Sequence, residues 1–167
     1  MSDTSDKTIL IVDDEPDVQL YLRTILEDAG FDVMVASNGK QALERMTEKK
    51  PDAISLDLVM PKMSGLKFYR YIQKNKDRKD IPVVVVTAHG KDEFGSDSLR
   101  ELQQEAKNNP ITFLEKPVKP PAYISAIRKS LGLPTSGEEH GLREQIQDRL
   151  KTADDKKLKK VLKLLSD

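Results

Sequence analysis

Apolar residues in this chain occur in short continuous runs that alternate with stretches of mixed polarity. Runs that are apolar at consecutive positions and contain β-branched residues are typical of strands covered on both faces, as in a parallel sheet. Three runs are strong and two are weaker. We therefore predict five strands, the strong ones at residues 8–12, 52–56 and 81–86 and the weaker ones at 31–36 and 111–114.

Between these runs, apolar residues recur every three or four positions, which is the spacing of an amphipathic helix. Gly30 is placed to end the first such segment as a C-cap, and Asn38 is placed to cap the start of the second. The five predicted helices contain residues 18–26, 42–46, 66–72, 99–106 and 123–131.

Strand and helix alternate five times between residues 8 and 131, which predicts a doubly wound α/β domain around a five-stranded parallel sheet. In such a sheet the ligand lies beyond the carboxyl ends of the strands, at the point where the strand order reverses. The residues directly after each strand are therefore the candidates for chemistry.

The chain after residue 132 departs from this alternation. Pro134, Gly137 and Gly141 stand among small polar residues, which predicts a linker. Apolar residues then recur at helical spacing up to residue 165, and either one long helix or a helical hairpin fits this pattern. We expect a disordered N-terminus at 1–6, a domain at 7–132, a linker at 133–141 and an amphipathic helical extension at 142–167.

Composition narrows the classes of function. The 167 residues include 28 Lys and Arg and 28 Asp and Glu, so net charge gives no reason to expect a nucleic-acid partner. The absence of cysteine excludes disulfides and thiolate chemistry, and the two histidines, His89 and His140, are too few for a histidine-rich metal site. No apolar run reaches the roughly 20 residues of a membrane span, and the first residues are polar, so we predict a cytoplasmic protein without a membrane partner.

Polar residues stand at the ends of four predicted strands, where the sheet would bring them to one edge. Asp13 and Asp14 follow the first strand, Asp57 the third, Thr87 the fourth and Lys116 the fifth. Three carboxylates held together repel each other, and a hard divalent cation with oxygen ligands, here Mg²⁺, relieves that repulsion. A carboxylate in such a cluster is also a suitable nucleophile toward phosphorus, giving an acyl phosphate. The Lys116 ammonium and the Thr87 hydroxyl suit the phosphoryl oxygens.

The same residues carry a resemblance to a known family. Over residues 7–132 the sequence resembles the receiver domain of bacterial two-component response regulators, and its motifs agree with that family in order and spacing. The resemblance implies a (βα)₅ flavodoxin-like receiver fold and a signalling protein, not an enzyme. The matching segments are ILIVDDE at 9–15, DLVMPKMSG at 57–65, TA at 87–88 and KP at 116–117.

The resemblance also implies a role for each acidic residue. Asp57 would be the phosphorylated aspartate. Asp14 would bind Mg²⁺ directly and Asp13 through water, and the main-chain carbonyl of Val59 would supply a further ligand. The phosphoryl group would come from a sensor histidine kinase or a histidine phosphotransfer protein, and the signal would pass to an unidentified protein target.

Two further residues would contact the phosphoryl group, Thr87 and Lys116, and the bond from Lys116 to Pro117 would be cis. Thr87 would also act as a switch together with Phe113, which occupies the aromatic switch position three residues before the lysine. Phe113 lacks the hydroxyl that many members of the family carry there as tyrosine.

The segment between Thr87 and Lys116 departs from the family pattern because it is several residues longer than usual. It predicts a long mobile connection that phosphorylation could order. This departure puts a standard dimer mode in doubt, and a homodimer through the C-terminal helices remains open. DNA binding is not expected, because no helix-turn-helix signature is visible and the tail is short.

Three other functions fit the pattern less well. An aspartyl-phosphate phosphatase needs a second aspartate two residues after its nucleophile, where this chain has Val59. A flavin-binding domain of the same topology needs a phosphate-cradling loop after its first strand, which is lacking. The main alternative is a phosphorylation-independent scaffold or dimerisation module acting through the C-terminal helices, although such proteins usually lose a key acid or the lysine.

Overall fold

The protein contains five parallel strands, β1 (Thr8–Val12), β2 (Asp32–Ala36), β3 (Ala53–Leu56), β4 (Val83–Thr87) and β5 (Thr112–Glu115). They form one sheet in the order β2-β1-β3-β4-β5. The computed structural model describes residues 4, 6–60, 63–87, 100–104 and 111–135. The order reverses between β1 and β3, which pair directly with each other.

Helices connect these strands, and local chemistry explains where they begin and end. The helix α1 (Pro16–Asp28) has Ala29 at its C-cap position, one residue before the glycine predicted there. Gly30 follows with a φ of 96°, which suits glycine, and the N–H groups of Gly30 and Phe31 donate to the carbonyls of Glu27 and Leu26. The helix α2 (Gly39–Glu48) begins after Asn38, whose side chain accepts from the backbone N–H of Gln41. The described helices are α1 (Pro16–Asp28), α2 (Gly39–Glu48), α3 (Gly65–Gln73), α4 at residues 100–104 and α5 (Pro120–Ser130).

Both faces of the sheet are buried, as expected for a doubly wound domain. Val83 and Val85 pack with residues of α2 and α3, whereas Val84 and Val86 pack with residues of α1 and α5. The alternation of side chains along β4 explains why this strand is apolar at every position before Thr87. The α/β architecture with a five-stranded parallel sheet predicted from the sequence is therefore confirmed.

Strand boundaries differ slightly from the prediction, for identifiable reasons. The strand β2 begins one residue late because the Phe31 N–H donates to the Leu26 carbonyl at the end of α1. The strand β4 extends to Thr87 because its carbonyl accepts the Lys116 N–H at 3.0 Å. Backbone hydrogen bonds to neighbouring elements, and not apolarity alone, thus determine where a strand begins and ends.

The chain divides into two units, Met1–Leu133 and Pro134–Asp167. The predicted helical extension at 142–167, most of the linker at 133–141 and most of the connection at 88–110 lie outside the described residues, as does His89. In the parts of the chain that the structure describes, no helix has the length and apolarity needed to cross a membrane.

Candidate functional site at the carboxyl edge of the sheet

Two aspartates lie side by side at the carboxyl edge because β1 and β3 are paired neighbours. The backbone N–H of Asp57 donates to the Val12 carbonyl at 2.9 Å, and the backbone N–H of Asp13 donates to the Ala36 carbonyl at 3.0 Å. Each aspartate thus continues its strand's hydrogen-bonding pattern by one residue. Their side chains are brought together at the point where the strand order reverses, where ligands bind in such sheets.

Asp13, Asp14 and Asp57 form an acidic cluster in which each residue offers a carboxylate oxygen within 4.8 Å of the others. Asp13 is 1% exposed and Asp57 is 4% exposed, whereas Asp14 is partly exposed. Two buried carboxylates at this separation repel each other strongly unless a cation lies nearby. The cluster predicted from the sequence is therefore present.

Lys116 supplies positive charge to this cluster from the end of β5. Its Nζ lies 2.7 Å from Asp13 Oδ2, 3.6 Å from Asp57 Oδ2 and 3.9 Å from Glu15 Oε1, and its side chain is only 11% exposed. The bond from Lys116 to Pro117 is cis, as predicted. The lysine therefore contacts both buried aspartates, with the shorter contact to Asp13.

The electrostatics of the cluster change the pKa values of two groups. Burial raises the pKa of the Asp57 carboxyl from 3.8 to about 6, against the opposing charge of Lys116 and with the help of Asp13. Burial alone would lower the pKa of Lys116, but its hydrogen bond to Asp13 and the charge of Asp57 outweigh burial and raise it. The lysine therefore stays protonated, and the Asp57 carboxylate is left with only partial compensation of its charge.

The turn that follows Asp57 fits closely against its backbone. The Gly65 N–H donates to the Leu58 carbonyl at 2.9 Å. A Cβ at Gly65 would lie 2.2 Å from the Asp57 carbonyl oxygen, closer than any real contact. The backbone N–H of Val59 reaches back to Asp57 Oδ1 at 3.3 Å. This turn needs glycine because it folds α3 directly onto the loop that carries Asp57.

The two predicted switch residues lie in neighbouring strands. Thr87 is buried at the end of β4, and its carbonyl accepts the N–H of Lys116. Phe113 pairs with Val85 in the sheet and is half-buried against the α2 and α3 side of the core. The structure thus places Thr87 at the edge that carries Lys116, and Phe113 two residues further from it along the sheet.

Sequence reasoning missed Gln19 on α1. Its Nε2 donates to the carbonyl oxygen of Asp13 and, at 3.1 Å, to Ser37 Oγ. The backbone N–H of Glu15, the residue that follows the two aspartates, donates to Asp13 Oδ1 at 2.9 Å. The Gln19 contacts have no signal in the sequence, because a glutamine on an amphipathic helix is normally a solvated residue.

The fold and this site agree with a known family. Residues 9–128 match the family model of the response regulator receiver domain, and the chain belongs to that family. It is a receiver domain of the kind found in two-component signalling proteins.

Individual relatives support this assignment. The chain is 31% identical to the phosphate regulon transcriptional regulatory protein PhoB of Pseudomonas aeruginosa, over 75% of this chain and 52% of PhoB. It is 29% identical to the polar-differentiation response regulator DivK of Brucella anthropi, over 75% of this chain and 97% of DivK. The crystal structure of chemotaxis protein CheY4 of Vibrio cholerae matches with a TM-score of 0.64 and 26% identity, over 75% of this chain and 98% of CheY4.

The match covers different shares of these two relatives. The chain spans about half the length of PhoB and almost all of DivK. PhoB is a transcriptional regulatory protein by name, so the expectation that this chain does not bind DNA stays a prediction.

Proposed function

We propose that Asp57 accepts a phosphoryl group and that this modification is the signal the domain transmits. The observation that carries this proposal is the position of its carboxylate. It is buried beside two further aspartates, with the Lys116 ammonium 3.6 Å from Oδ2. A carboxylate with incomplete charge compensation is a reactive oxygen nucleophile, and the ammonium beside it suits the oxygens of an incoming phosphoryl group.

In the proposed reaction an Asp57 carboxylate oxygen attacks phosphorus and forms an acyl phosphate. The bond from phosphorus to the donor breaks at the same time, and the leaving group departs with that electron pair. Lys116 is shared between Asp13 and Asp57, so a short movement carries its ammonium onto a phosphoryl oxygen. We assign the hydroxyl group of the buried Thr87 as the hydrogen-bond donor to a second phosphoryl oxygen.

The donor set of the acidic cluster fits Mg²⁺. All three side chains offer carboxylate oxygens, and two of them are buried, so a divalent cation would remove repulsion that Lys116 only partly cancels. We assign Asp14 and Asp57 as direct ligands, Asp13 as a ligand through water and the Val59 main-chain carbonyl as a further ligand. When bound, Mg²⁺ supplies charge neutralisation at the phosphoryl oxygens.

The output of the domain is proposed to begin at Thr87 and Phe113. A phosphoryl group on Asp57 that accepts a hydrogen bond from the Thr87 hydroxyl would pull the end of β4 toward Asp57. The half-buried ring of Phe113 would then repack in the neighbouring strand. We propose that a sensor histidine kinase or a histidine phosphotransfer protein is the donor and that another protein is the target. The domain acts as a cytoplasmic signalling module and not as an enzyme on external substrates.

The test is intact-mass analysis after incubation with acetyl phosphate. Wild type should gain one phosphoryl group in Mg²⁺ and none in EDTA, and Asp57→Asn should gain none. Asp77→Asn is the matched control because Asp77 is exposed on a surface turn. If wild type gains no phosphoryl group and also does not bind beryllofluoride, a mimic of the phosphoryl group, the result would support the phosphorylation-independent scaffold instead.

A further inference from the structure

Gln19 on the first turn of α1 holds the main chain of the loop that carries Asp13 and Asp14. Its Nε2 donates to the carbonyl oxygen of Asp13 and to Ser37 Oγ. The side-chain NH₂ group of glutamine has two donor hydrogens, so it can donate to both oxygens at once. The contact is partly buried, so water competes with it less than at an exposed site.

The carbonyl that Gln19 contacts belongs to the peptide group joining Asp13 to Asp14. A peptide group is planar, so fixing its oxygen also fixes the direction of the following N–Cα bond. The other polar atoms of Asp13 already have partners. Its N–H donates to Ala36, its Oδ1 accepts from Glu15, and its Oδ2 meets Lys116. The Glu15 contact spans Asp14 and so limits the loop from its far side, but none of these three contacts is made by the carbonyl oxygen of the peptide that leads to Asp14. Gln19 is the residue that holds this oxygen directly.

Gln19 also couples this loop to the start of α2. Ser37, its second acceptor, donates its own N–H to Gln41 Oε1 at 2.6 Å. The backbone N–H of Gln41 is in turn held by Asn38 at 2.8 Å. A chain of hydrogen bonds therefore runs from the helix cap of α2 through Ser37 and Gln19 to the peptide between Asp13 and Asp14.

We propose that Gln19 is a positioning residue for the divalent cation, which it serves by holding the peptide between Asp13 and Asp14 so that the Asp14 carboxylate faces Asp57. The inference rests on the proposed Mg²⁺ site. Gln19 touches neither the cation nor the phosphoryl group. Partners that orient metal ligands in this way typically change metal affinity by roughly 10- to 100-fold when removed.

The test replaces Gln19 by methionine, which matches its length, is a good helix former and cannot donate a hydrogen bond. Gln73→Met is the matched control, because Gln73 Nε2 also donates to a main-chain carbonyl, that of Lys79 at 3.1 Å, away from the cluster. Calorimetry measures the Mg²⁺ dissociation constant, and urea unfolding in EDTA measures stability. The NMR carbonyl-carbon shift of Asp13 reports directly on the hydrogen bond.

Gln19→Met should move the Asp13 carbonyl shift and weaken Mg²⁺ binding roughly 10-fold. Its urea midpoint in EDTA should fall no further than that of Gln73→Met. The rate of phosphorylation at saturating Mg²⁺ should return to the wild-type value, because the lost orientation is restored by the bound cation.

An unchanged dissociation constant in Gln19→Met overturns the inference. A larger Mg²⁺ dissociation constant in Gln19→Met also overturns the inference if its urea midpoint lies well below that of Gln73→Met. Gln19 would then act through general stability. If wild type itself binds no Mg²⁺, the proposed metal site fails, and this outcome is distinct from both.

Discussion

The Lys116 ammonium lies 2.7 Å from Asp13 Oδ2, 0.9 Å closer than its 3.6 Å distance from Asp57 Oδ2. The lysine therefore lies closer to Asp13, which is proposed to support the metal, than to Asp57, the proposed phosphoacceptor. This arrangement keeps the positive charge inside the site without neutralising Asp57 completely. It also explains how burial can raise the pKa of Asp57 to about 6 with a protonated lysine nearby.

Replacing Lys116 by methionine should reduce stability most strongly in EDTA. The substitution leaves two buried carboxylates, Asp13 and Asp57, without their cation, and breaking a buried ion pair in this way costs about 3 kcal/mol. Mg²⁺ should restore most of the loss, because it supplies the missing positive charge. Urea unfolding with and without Mg²⁺ measures both effects.

Lys119→Met is the control for this experiment, since Lys119 is exposed and only three residues away. It should change the unfolding free energy by less than about 0.5 kcal/mol. Equal losses in the two variants would show that the position of Lys116 between the carboxylates has no special importance.

Replacing Asp57 by asparagine should stabilise the protein in EDTA near pH 7.5. The folded carboxyl has a pKa of about 6, above its ordinary 3.8, so the folded state binds a proton more tightly than the unfolded state. Stability therefore falls as pH rises through this interval, and the full penalty applies above pH 6. At one pKa unit per roughly 1.4 kcal/mol, Asp57→Asn should gain on the order of 1–3 kcal/mol.

The gain from Asp57→Asn should disappear when both proteins are measured near pH 4, where the wild-type carboxyl is protonated in the folded state. Thermal or urea unfolding across this pH range provides the comparison, with the exposed Asp77→Asn as control. A gain that stays constant with pH would contradict the electrostatic origin of the effect.

Replacing Gly65 by alanine should destabilise the protein by about 2 kcal/mol, because the new Cβ would press on the Asp57 backbone. Gly39→Ala is the matched comparison. There the three nearest atoms all belong to the Met63 side chain, with Cγ and Sδ at 2.7 Å and Cβ at 2.9 Å, whereas at Gly65 they are backbone atoms, the nearest at 2.2 Å. We expect Gly39→Ala to cost less than Gly65→Ala in urea unfolding, because a side chain yields more easily than the paired backbone. The reverse order of these two losses is incompatible with the close approach at Gly65.

Tyr21 ties α1 to the loop that follows Lys116, since its hydroxyl donates to the Val118 carbonyl at 2.9 Å. Tyr21→Phe should lower the unfolding free energy by about 1 kcal/mol, the usual contribution of one hydrogen bond. Tyr71 is similarly exposed, 53% against 45% for Tyr21, but its hydroxyl bonds to no group in the described part of the chain. Tyr71→Phe should therefore change the unfolding free energy by less than about 0.5 kcal/mol. Indistinguishable urea midpoints for the two variants would remove Tyr21 as a support of this loop.

Much of the fold could be predicted from the sequence because local patterns determine it. The five residues Thr8–Val12, four of them apolar, form β1 as predicted, and Asn38 caps the start of α2 as predicted. Gly30 lies directly after the C-cap of α1, one residue from its predicted position. The clustering of Asp13, Asp14 and Asp57 followed from a rule of parallel sheets, that carboxyl ends share an edge.

The remaining features depend on distances across the chain that no local pattern contains. Tyr21 and Val118 are 97 residues apart in sequence, and their contact exists only after α1 packs beside the end of β5. The shorter contact of Lys116 with Asp13 depends on fractions of an ångström at the strand ends. Gln19 looks like any polar residue of an exposed helix until β1 and β2 bring Asp13 and Ser37 beside it.

The position of the acyl phosphate can be read by trapping it with sodium borohydride, which reduces an aspartyl phosphate to homoserine. Protein incubated with acetyl phosphate and Mg²⁺ is reduced, digested and sequenced by tandem mass spectrometry. We expect homoserine at position 57 alone, and none when Mg²⁺ is replaced by EDTA. Homoserine at position 13 or 14, or its absence from a phosphorylated sample, would contradict the assignment of Asp57 as the phosphoacceptor.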